Sequence, residues 1–224
     1  MIARPALTRR GLLLGAAVSG SALLTGCHDA TPPPAATPAP SPTPSPSAEP
    51  STPDLQAAAL SLALENLLVA VYDAGIAAAT DGRLGVVPAA IVGFVTATRA
   101  HHADHARAWT ALLEQGHGSA LEGGRLAAAD TWLAQVAKAK TFGTFGAIAI
   151  EAERVAAATY LTSITSASLQ SVVATGVSIA PVEAEHAAAL ALLTGQAPLA
   201  RPAGGALFDL RGAFTVTDLT ASTS

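Results

Sequence analysis

Residues 55–72 read LQAAALSLALENLLVAVY, a stretch in which Glu65 is the only charged side chain. Alanine and leucine are strong helix formers, and the absence of proline and glycine predicts one uninterrupted helix. Polar residues are too few to cover a solvent-facing side, so we expect most of this helix to be buried. A buried carboxylate must be protonated, paired or bound to a metal ion, which makes Glu65 the first candidate functional residue.

The whole chain has 224 residues, of which 50% are hydrophobic, 12% charged and only 4% aromatic. This length allows one domain or two, and the apolar content excludes a wholly disordered chain. The formal charge is −4 without a basic stripe, so nucleic acid is not expected as a partner. The single cysteine, Cys27, excludes a disulfide framework and a cysteine-based zinc site. No uncharged apolar run reaches the roughly 18–20 residues of a membrane-spanning helix.

Four long helices and one short helix are predicted between residues 54 and 195. The segment Thr52-Pro53-Asp54 supplies a capping hydroxyl, a proline and an acid at the start of the first helix. The long helices are expected at 54–80, 88–115, 145–164 and 169–193, and the short one at 126–139. Pro181 is expected to kink or split the last helix, because proline removes a backbone hydrogen bond. The pattern predicts an all-α four-helix bundle, with an irregular helical domain as the alternative.

The first and third long helices carry the same pair of residues. Glu65 is followed seven residues later by Tyr72, and Glu153 is followed seven residues later by Tyr160. Seven residues are about two helical turns, so each glutamate shares a helix face with its tyrosine. We expect the tyrosines either to pack in the core with a bonded hydroxyl or to support the glutamates as hydrogen-bonding partners or electron relays.

The second and fourth long helices also match each other. His102-Ala-Asp-His105 aligns without gaps on Glu183-Ala-Glu-His186, and the i, i+3 spacing puts both members of each pair on one helix face. Distances along the chain from the two interhelical turns place the pairs and the two glutamates at similar heights. This is the arrangement of a di-metal carboxylate site inside a helix bundle. The candidate metal ligands are Glu65, His102, His105, Glu153, Glu183 and His186.

Other partners remain open for these side chains. The two inward glutamates could instead pair with an arginine, Arg99 or Arg154, or with a histidine, or they could face solvent. His101 and His105 form a rival i, i+4 pair, although the repeat favours His102. If the interior polar groups satisfy one another, the protein would be a metal-free envelope scaffold or binding lipoprotein.

Residues 55–195 resemble the ferritin-like superfamily, and in particular exported bacterial ferritin-like domain proteins. In di-iron members the first and third helices each supply a glutamate, and the second and fourth each supply Glu-x-x-His. Glu65, Glu153 and Glu183-x-x-His186 match this pattern, whereas His102 stands where a glutamate is expected. The resemblance implies a ferritin-like four-helix bundle, to which the residue pattern adds the short extra helix between the second and third long helices. It also implies iron or manganese as the cofactor, as two ions or one, with zinc as a further candidate.

The same resemblance implies iron oxidation, peroxide or oxygen handling, or metal storage as the activity. Whether the protein is an enzyme stays open; if it is, the resemblance implies a metal-dependent oxidoreductase of the ferroxidase type. Because His102 replaces a glutamate, three carboxylates would face the four positive charges of two divalent ions. A bridging hydroxide or a single metal ion would restore the balance. A homodimer also remains open.

The N-terminal residues predict export and a lipid anchor. Residues 1–26 join an arginine-containing start to an apolar stretch, as in a signal peptide. The sequence TRRGLL at 8–13 resembles the twin-arginine export motif, and LTGC at 24–27 resembles the bacterial lipobox, whose cysteine is lipidated. We expect a lipoprotein anchored in the membrane through Cys27, on the extracytoplasmic face of the cell envelope. Removing residues 1–26 changes the formal charge from −4 to −7, since three arginines and no acids are lost.

Two further segments flank the predicted helical domain. Residues 27–53 begin at the lipidated cysteine and form a disordered linker, with ten prolines among residues 29–53. Fully extended, this linker would reach about 75 Å from the membrane. Residues 54–195 form the helical domain, and residues 196–224 form an irregular tail in which 206–217 is either a short strand or a loose arm.

Overall fold

The computed structural model describes residues 51–116, 124–198, 210 and 212–220. The predicted signal peptide, Cys27 and nearly all of the predicted linker lie outside the described residues. The described chain is mostly helical, as predicted. Its five α-helices are α1 (Thr52–Thr80), α2 (Ala89–Gln115), α3 (Ala129–Lys138), α4 (Phe142–Ser163) and α5 (Gln170–Leu193).

The long helices pack as two hairpins. Helix α1 packs along α2, and α4 packs along α5, while α1 also contacts α3 and α4. The turn between α1 and α2 contains Gly82 and Gly85, whose φ angles of 72° and 76° are ones that glycine adopts at little cost. The core between the hairpins consists mainly of leucine and alanine from α1 and α4, together with the rings of Tyr72, Trp109 and Tyr160.

The connection between α2 and α4 is joined to the C-terminal tail. It carries a two-residue strand, β1 (Arg125–Leu126), followed by α3. Strand β1 pairs antiparallel with β2 (Leu219–Thr220) in the tail. The backbone N–H of Phe214 donates to the Thr159 hydroxyl at 2.9 Å, which attaches the tail to α4. The tail therefore does contain a short strand, but the strand lies just beyond the predicted range of 206–217.

Helix α5 continues through Pro181, so of the two predicted effects of this proline, a kink or a split, the structure excludes the split. Pro181 is exposed, and so is Val177, whose carbonyl loses its usual N–H partner at the proline. That carbonyl belongs to the outer side of the helix, where water can replace the missing hydrogen bond.

Helices α1 and α5 are each long and apolar enough to cross a membrane, judged by length and composition. In the folded domain, 72% of the most apolar window of α1 and 44% of that of α5 are buried. Each of these helices also carries a buried glutamate, Glu65 or Glu183. We therefore interpret both as core helices of the domain.

The first turn of α1 is held by a reciprocal pair of hydrogen bonds. Ser51 is the capping residue, so the capping hydroxyl belongs to Ser51 and not to Thr52, as the sequence suggested. The Asp54 carboxylate accepts from the backbone N–H of Ser51 at 2.9 Å, and it also reaches the start of α5. There it accepts from the backbone N–H groups of Ser168 at 2.7 Å and Leu169 at 2.9 Å. One carboxylate thus joins the N-termini of two helices.

We expect Asp54→Asn to lower the free energy of unfolding by about 2 kcal/mol at pH 7, since hydrogen bonds to a charged group are lost. Burial raises the pKa of Asp54, but hydrogen bonds from the N–H groups of Leu169, Ser168 and Ser51 outweigh burial and hold the pKa below its ordinary value. The contribution of the ionised group is therefore complete above about pH 4 and is lost as the pH falls toward the folded-state pKa. Urea denaturation between pH 7 and pH 3 should show the gap between variant and wild type closing in acid.

Glu114→Gln is the control for this experiment, because Glu114 is exposed on α2. A gap between wild type and Asp54→Asn that stays constant down to pH 3 would contradict the assigned role.

Candidate metal centre

The six predicted ligands come together in one buried cluster between the four long helices. Glu65 comes from α1, His102 and His105 from α2, Glu153 from α4, and Glu183 and His186 from α5. The three carboxylate side chains and the His102 side chain have no solvent exposure, while His186 and His105 are 7% and 15% exposed. Three carboxylates in so little water require partners of opposite charge.

Each tyrosine supports the glutamate of the other hairpin. The Tyr72 hydroxyl on α1 donates to Oε1 of Glu153 on α4, and the Tyr160 hydroxyl on α4 donates to Oε1 of Glu65 on α1. Burial and the neighbouring carboxylate raise the pKa of each tyrosine above its ordinary value, so both hydroxyls keep their protons. The two copies of the Glu-Tyr repeat therefore exchange partners, since the tyrosine of each copy donates to the glutamate of the other.

His102 lies between the two glutamates of the repeat. Its Nδ1 is 2.9 Å from Oε2 of Glu65, and its Nε2 is 3.2 Å from Oε1 of Glu153. The ring stacks on Tyr72 with 5.2 Å between centroids, which restricts its orientation. Burial lowers the pKa of His102, but the hydrogen bonds to Glu153 and Glu65 outweigh burial and raise it above the ordinary value.

His105 and His186 approach Glu183 from two sides. Nδ1 of His105 is 3.0 Å from Oε1 of Glu183, and Nδ1 of His186 is 3.3 Å from Oε2. Burial lowers the pKa of both histidines, but the adjacent carboxylates of Glu183, Glu65 and Glu153 outweigh burial and raise each pKa to about 9. In the metal-free state both imidazoles therefore act as counter-charges to the glutamates at neutral pH.

Three potential metal-ligand atoms in the cluster are buried and have no well-oriented hydrogen-bond partner among the described residues. They are Nδ1 of His105, Oε2 of Glu153 and Oε1 of Glu183. Nδ1 of His105 and Oε1 of Glu183 are only 3.0 Å apart, but their relative orientation is not that of a hydrogen bond. Buried polar atoms without partners are rare in folded proteins, and a cation bound beside such an atom would supply the missing partner.

The donor atoms form two overlapping groups of four residues, with ligand atoms within 4.8 Å of one another in each group. One group joins Glu65 and His105, and the other joins Glu153 and His186; His102 and Glu183 belong to both. Imidazole nitrogens and carboxylate oxygens at this spacing suit a divalent transition metal. The residues present therefore fit a metal ion.

His101 is the site residue that sequence reasoning set aside. Its Nδ1 is 3.0 Å from Nε2 of His186, and the two rings stack with 17° between their planes. Burial and the neighbouring His186 lower the pKa of His101, so its neutral ring can accept the Nε2–H of His186. The rival pairing of His101 with His105 is wrong, because His101 faces α5 while His105 faces the glutamates.

The arginine alternative for the glutamates is not what the structure shows. The Arg99 guanidinium pairs with the exposed carboxylate of Asp73 at 2.9 Å, and Arg154 is exposed. The buried partners of Glu65 and Glu153 are instead histidines and tyrosines. Trp109, which the sequence did not separate from other core residues, donates its Nε1–H to the Tyr160 hydroxyl at 2.9 Å.

Comparison with known families identifies the domain that carries this cluster. The family model described as the ferritin-like domain matches residues 53–196, close to the range 55–195 on which the resemblance was based. No curated protein and no solved structure matched the chain. The matched segment runs from the first turn of α1 to just beyond α5, and it includes every residue of the buried His/Glu cluster. The chain therefore belongs to the family of proteins with a ferritin-like domain.

Proposed function

We propose that this protein binds a redox-active metal ion in the buried His/Glu cluster and uses it in metal oxidation, metal storage or the handling of oxidants. The observation that carries the proposal is the set of three buried donor atoms without hydrogen-bond partners among the described residues, surrounded by further carboxylate and imidazole groups. Such atoms are costly in a metal-free protein and favourable in a metal site.

Iron or manganese is the metal we favour. Both accept mixed carboxylate and imidazole ligands, and zinc fits the same donors without redox chemistry. A bound iron or manganese ion would supply one-electron redox chemistry. The chain's own residues would neutralise the ion with carboxylates, orient those carboxylates through Tyr72 and Tyr160, and keep bulk water out of the cluster.

We further propose that the four long helices form the bundle typical of this family and that the bundle is tethered to a membrane. The support lies in the sequence, where a twin-arginine-like motif and a lipobox ending at Cys27 precede a proline-rich linker. The domain would then act outside the cytoplasm, and twin-arginine export would let it fold and take up metal first. Cell fractionation tests the anchor: the wild type should be found with the membranes, and Cys27→Ala should move to the soluble fraction.

The metal proposal is tested by elemental analysis of the full-length chain, purified without chelators or metal-binding tags and also after anaerobic loading with iron or manganese. We expect bound metal in the wild type and its loss in a Glu153→Ala, His186→Ala double variant. The matched control is Glu151→Ala with Glu185→Ala, since both residues are exposed on the same two helices. Wild-type protein without metal under all conditions would contradict the proposal.

His101→Ala should weaken metal binding about 10-fold without abolishing it. Partners that orient a ligating histidine typically contribute 10- to 100-fold to metal affinity. His101 is placed to hold His186 with Nδ1 toward the carboxylates, through the hydrogen bond at Nε2. Competition with a colorimetric chelator would measure the affinity, and His101→Gln, which can still accept a hydrogen bond, should retain most of it. An unchanged affinity in His101→Ala would remove His101 from the site.

A metal-free scaffold is the second candidate, and one observation favours it. The carboxylates of Glu65 and Glu153 already accept hydrogen bonds from tyrosine and histidine. In that case the double variant would lose stability while the metal content of the wild type would be zero. A binding partner would then have to be found by crosslinking in the cell envelope.

A further inference from the structure

His102 occupies the position that joins the two halves of the cluster. Both groups of potential ligands contain His102 and Glu183, so these two residues stand where ligands shared between two metal ions would stand. Glu183 has a carboxylate oxygen on each side, with Oε1 near His105 and Oε2 near His186. A carboxylate at such a position can bind two ions, one through each oxygen.

An imidazole at the same position cannot do this as a neutral ligand. It offers one lone pair to a metal, and its second nitrogen carries a proton. In the structure both nitrogens are engaged, because Nδ1 is in hydrogen-bonding range of Glu65 and Nε2 is in hydrogen-bonding range of Glu153. Stacking on Tyr72 holds the ring in this orientation.

The two outer glutamates are not equivalent. Both oxygens of Glu65 are engaged, Oε1 by the Tyr160 hydroxyl and Oε2 by His102. In Glu153 the Tyr72 hydroxyl and His102 both approach Oε1, and Oε2 remains buried without a hydrogen-bond partner among the described residues. Oε2 of Glu153 lies 3.6 Å from Nδ1 of His186, so the free oxygen faces the half built from α4 and α5.

We propose that the centre holds one metal ion, bound by Glu153, Glu183 and His186, and that His102 together with Glu65 closes the half in which a second ion would bind. In that closed half Nδ1 of His105 stays paired with Oε1 of Glu183, 3.0 Å away. This inference rests on the proposed metal-binding function. With the histidines neutral, as ligands or acceptors, one divalent ion leaves a single negative charge on the three carboxylates. Hydrogen bonds from the two tyrosine hydroxyls and His102 stabilise such a charge, whereas two divalent ions would leave an excess of positive charge.

Metal counting on the full-length chain tests the number of ions. Loaded anaerobically with excess Mn²⁺ or Fe²⁺ and freed of loose metal, the wild type should retain about one ion per chain. His102→Glu restores a carboxylate with two oxygens and should raise the count to about two. His102→Gln removes the imidazole without adding a carboxylate, so its count should stay at one.

Electron paramagnetic resonance of the Mn²⁺-loaded proteins gives an independent readout. The wild type should show the six-line signal of an isolated ion, and His102→Glu should show the broadened signal of two interacting ions. The position of the ion is tested by a second pair of variants. Glu153→Ala should lose the ion, while Glu65→Ala should keep it.

The outcomes separate this inference from the function on which it rests. Two ions in the wild type would overturn the single-ion centre and leave the metal-binding proposal intact. One ion that is lost in Glu65→Ala but kept in Glu153→Ala would overturn the assigned position. No ion in the wild type would overturn the metal-binding proposal itself.

Discussion

Glu153→Ala should unfold with a free energy about 3–5 kcal/mol lower than the wild type when both are metal-free. Removing one member of a buried charged pair costs this much because the partners stay buried without compensation. Here Nε2 of His102 and the Tyr72 hydroxyl would lose their acceptor, and the His186 ring would lose a nearby counter-charge. A loss of this size is a large share of the 5–15 kcal/mol that stabilises a typical domain.

Urea denaturation followed by circular dichroism, in the presence of a chelator, measures this change. Glu151→Ala is the matched control, because Glu151 lies two residues away on the exposed side of α4 and should change the stability by less than about 0.5 kcal/mol. Glu153→Gln keeps the shape and one acceptor oxygen, so it should fall in between if the alanine variant does not fold. Equal stabilities of Glu153→Ala and Glu151→Ala would show that the network does not stabilise the fold.

Trp109→Ala should be destabilised by about 3–5 kcal/mol, the range for truncating a large buried aromatic side chain. The Trp109 ring is 1% exposed and stacks on Tyr160 with 6.0 Å between centroids. Its edge lies 3.8 Å from the point that a Cβ would occupy at Gly176, so the ring fills the space between α2, α4 and α5. The variant would also leave the Tyr160 hydroxyl without the N–H of Trp109.

Trp132→Ala provides the comparison, since Trp132 is only partly buried on α3. We expect that variant to lose clearly less stability, while Trp109→Phe should lose less than Trp109→Ala because it keeps most of the buried ring. If both alanine variants melt at the same temperature, Trp109 has no special role in joining the two hairpins.

Much of the helical architecture could be predicted from local sequence. The apolar stretch around Glu65, the glycines after Thr80 and the spacing of the four long segments placed the helices to within about three residues at the ends. Errors arose where a hydrogen bond outside the helix decides the boundary. Helix α4 begins at Phe142, earlier than the predicted 145, because the Thr141 hydroxyl accepts from the backbone N–H of Thr144 at 3.1 Å.

The residues that form the candidate site could also be predicted. The repeat of Glu-x₆-Tyr and the i, i+3 pairs were sufficient to name six residues that the structure brings into one cluster. Their role as metal ligands stays a prediction. His101 could not be found in this way, because its stacking on His186 joins α2 to α5 across 85 residues of chain. The one local signal for it is its position directly before the candidate ligand His102.

The sequence by itself determined which residues form helices, which polar residues those helices bury, and that the chain is built from two similar hairpins. These properties depend on neighbours within one or two helical turns, where side-chain spacing and backbone propensity decide the outcome. The tertiary structure alone decided that each tyrosine donates a hydrogen bond to the glutamate of the opposite hairpin. It also decided that His102 lies between Glu65 and Glu153, in hydrogen-bonding range of both carboxylates. Those contacts depend on the rotation and separation of helices far apart in the chain, and only the packed core sets both.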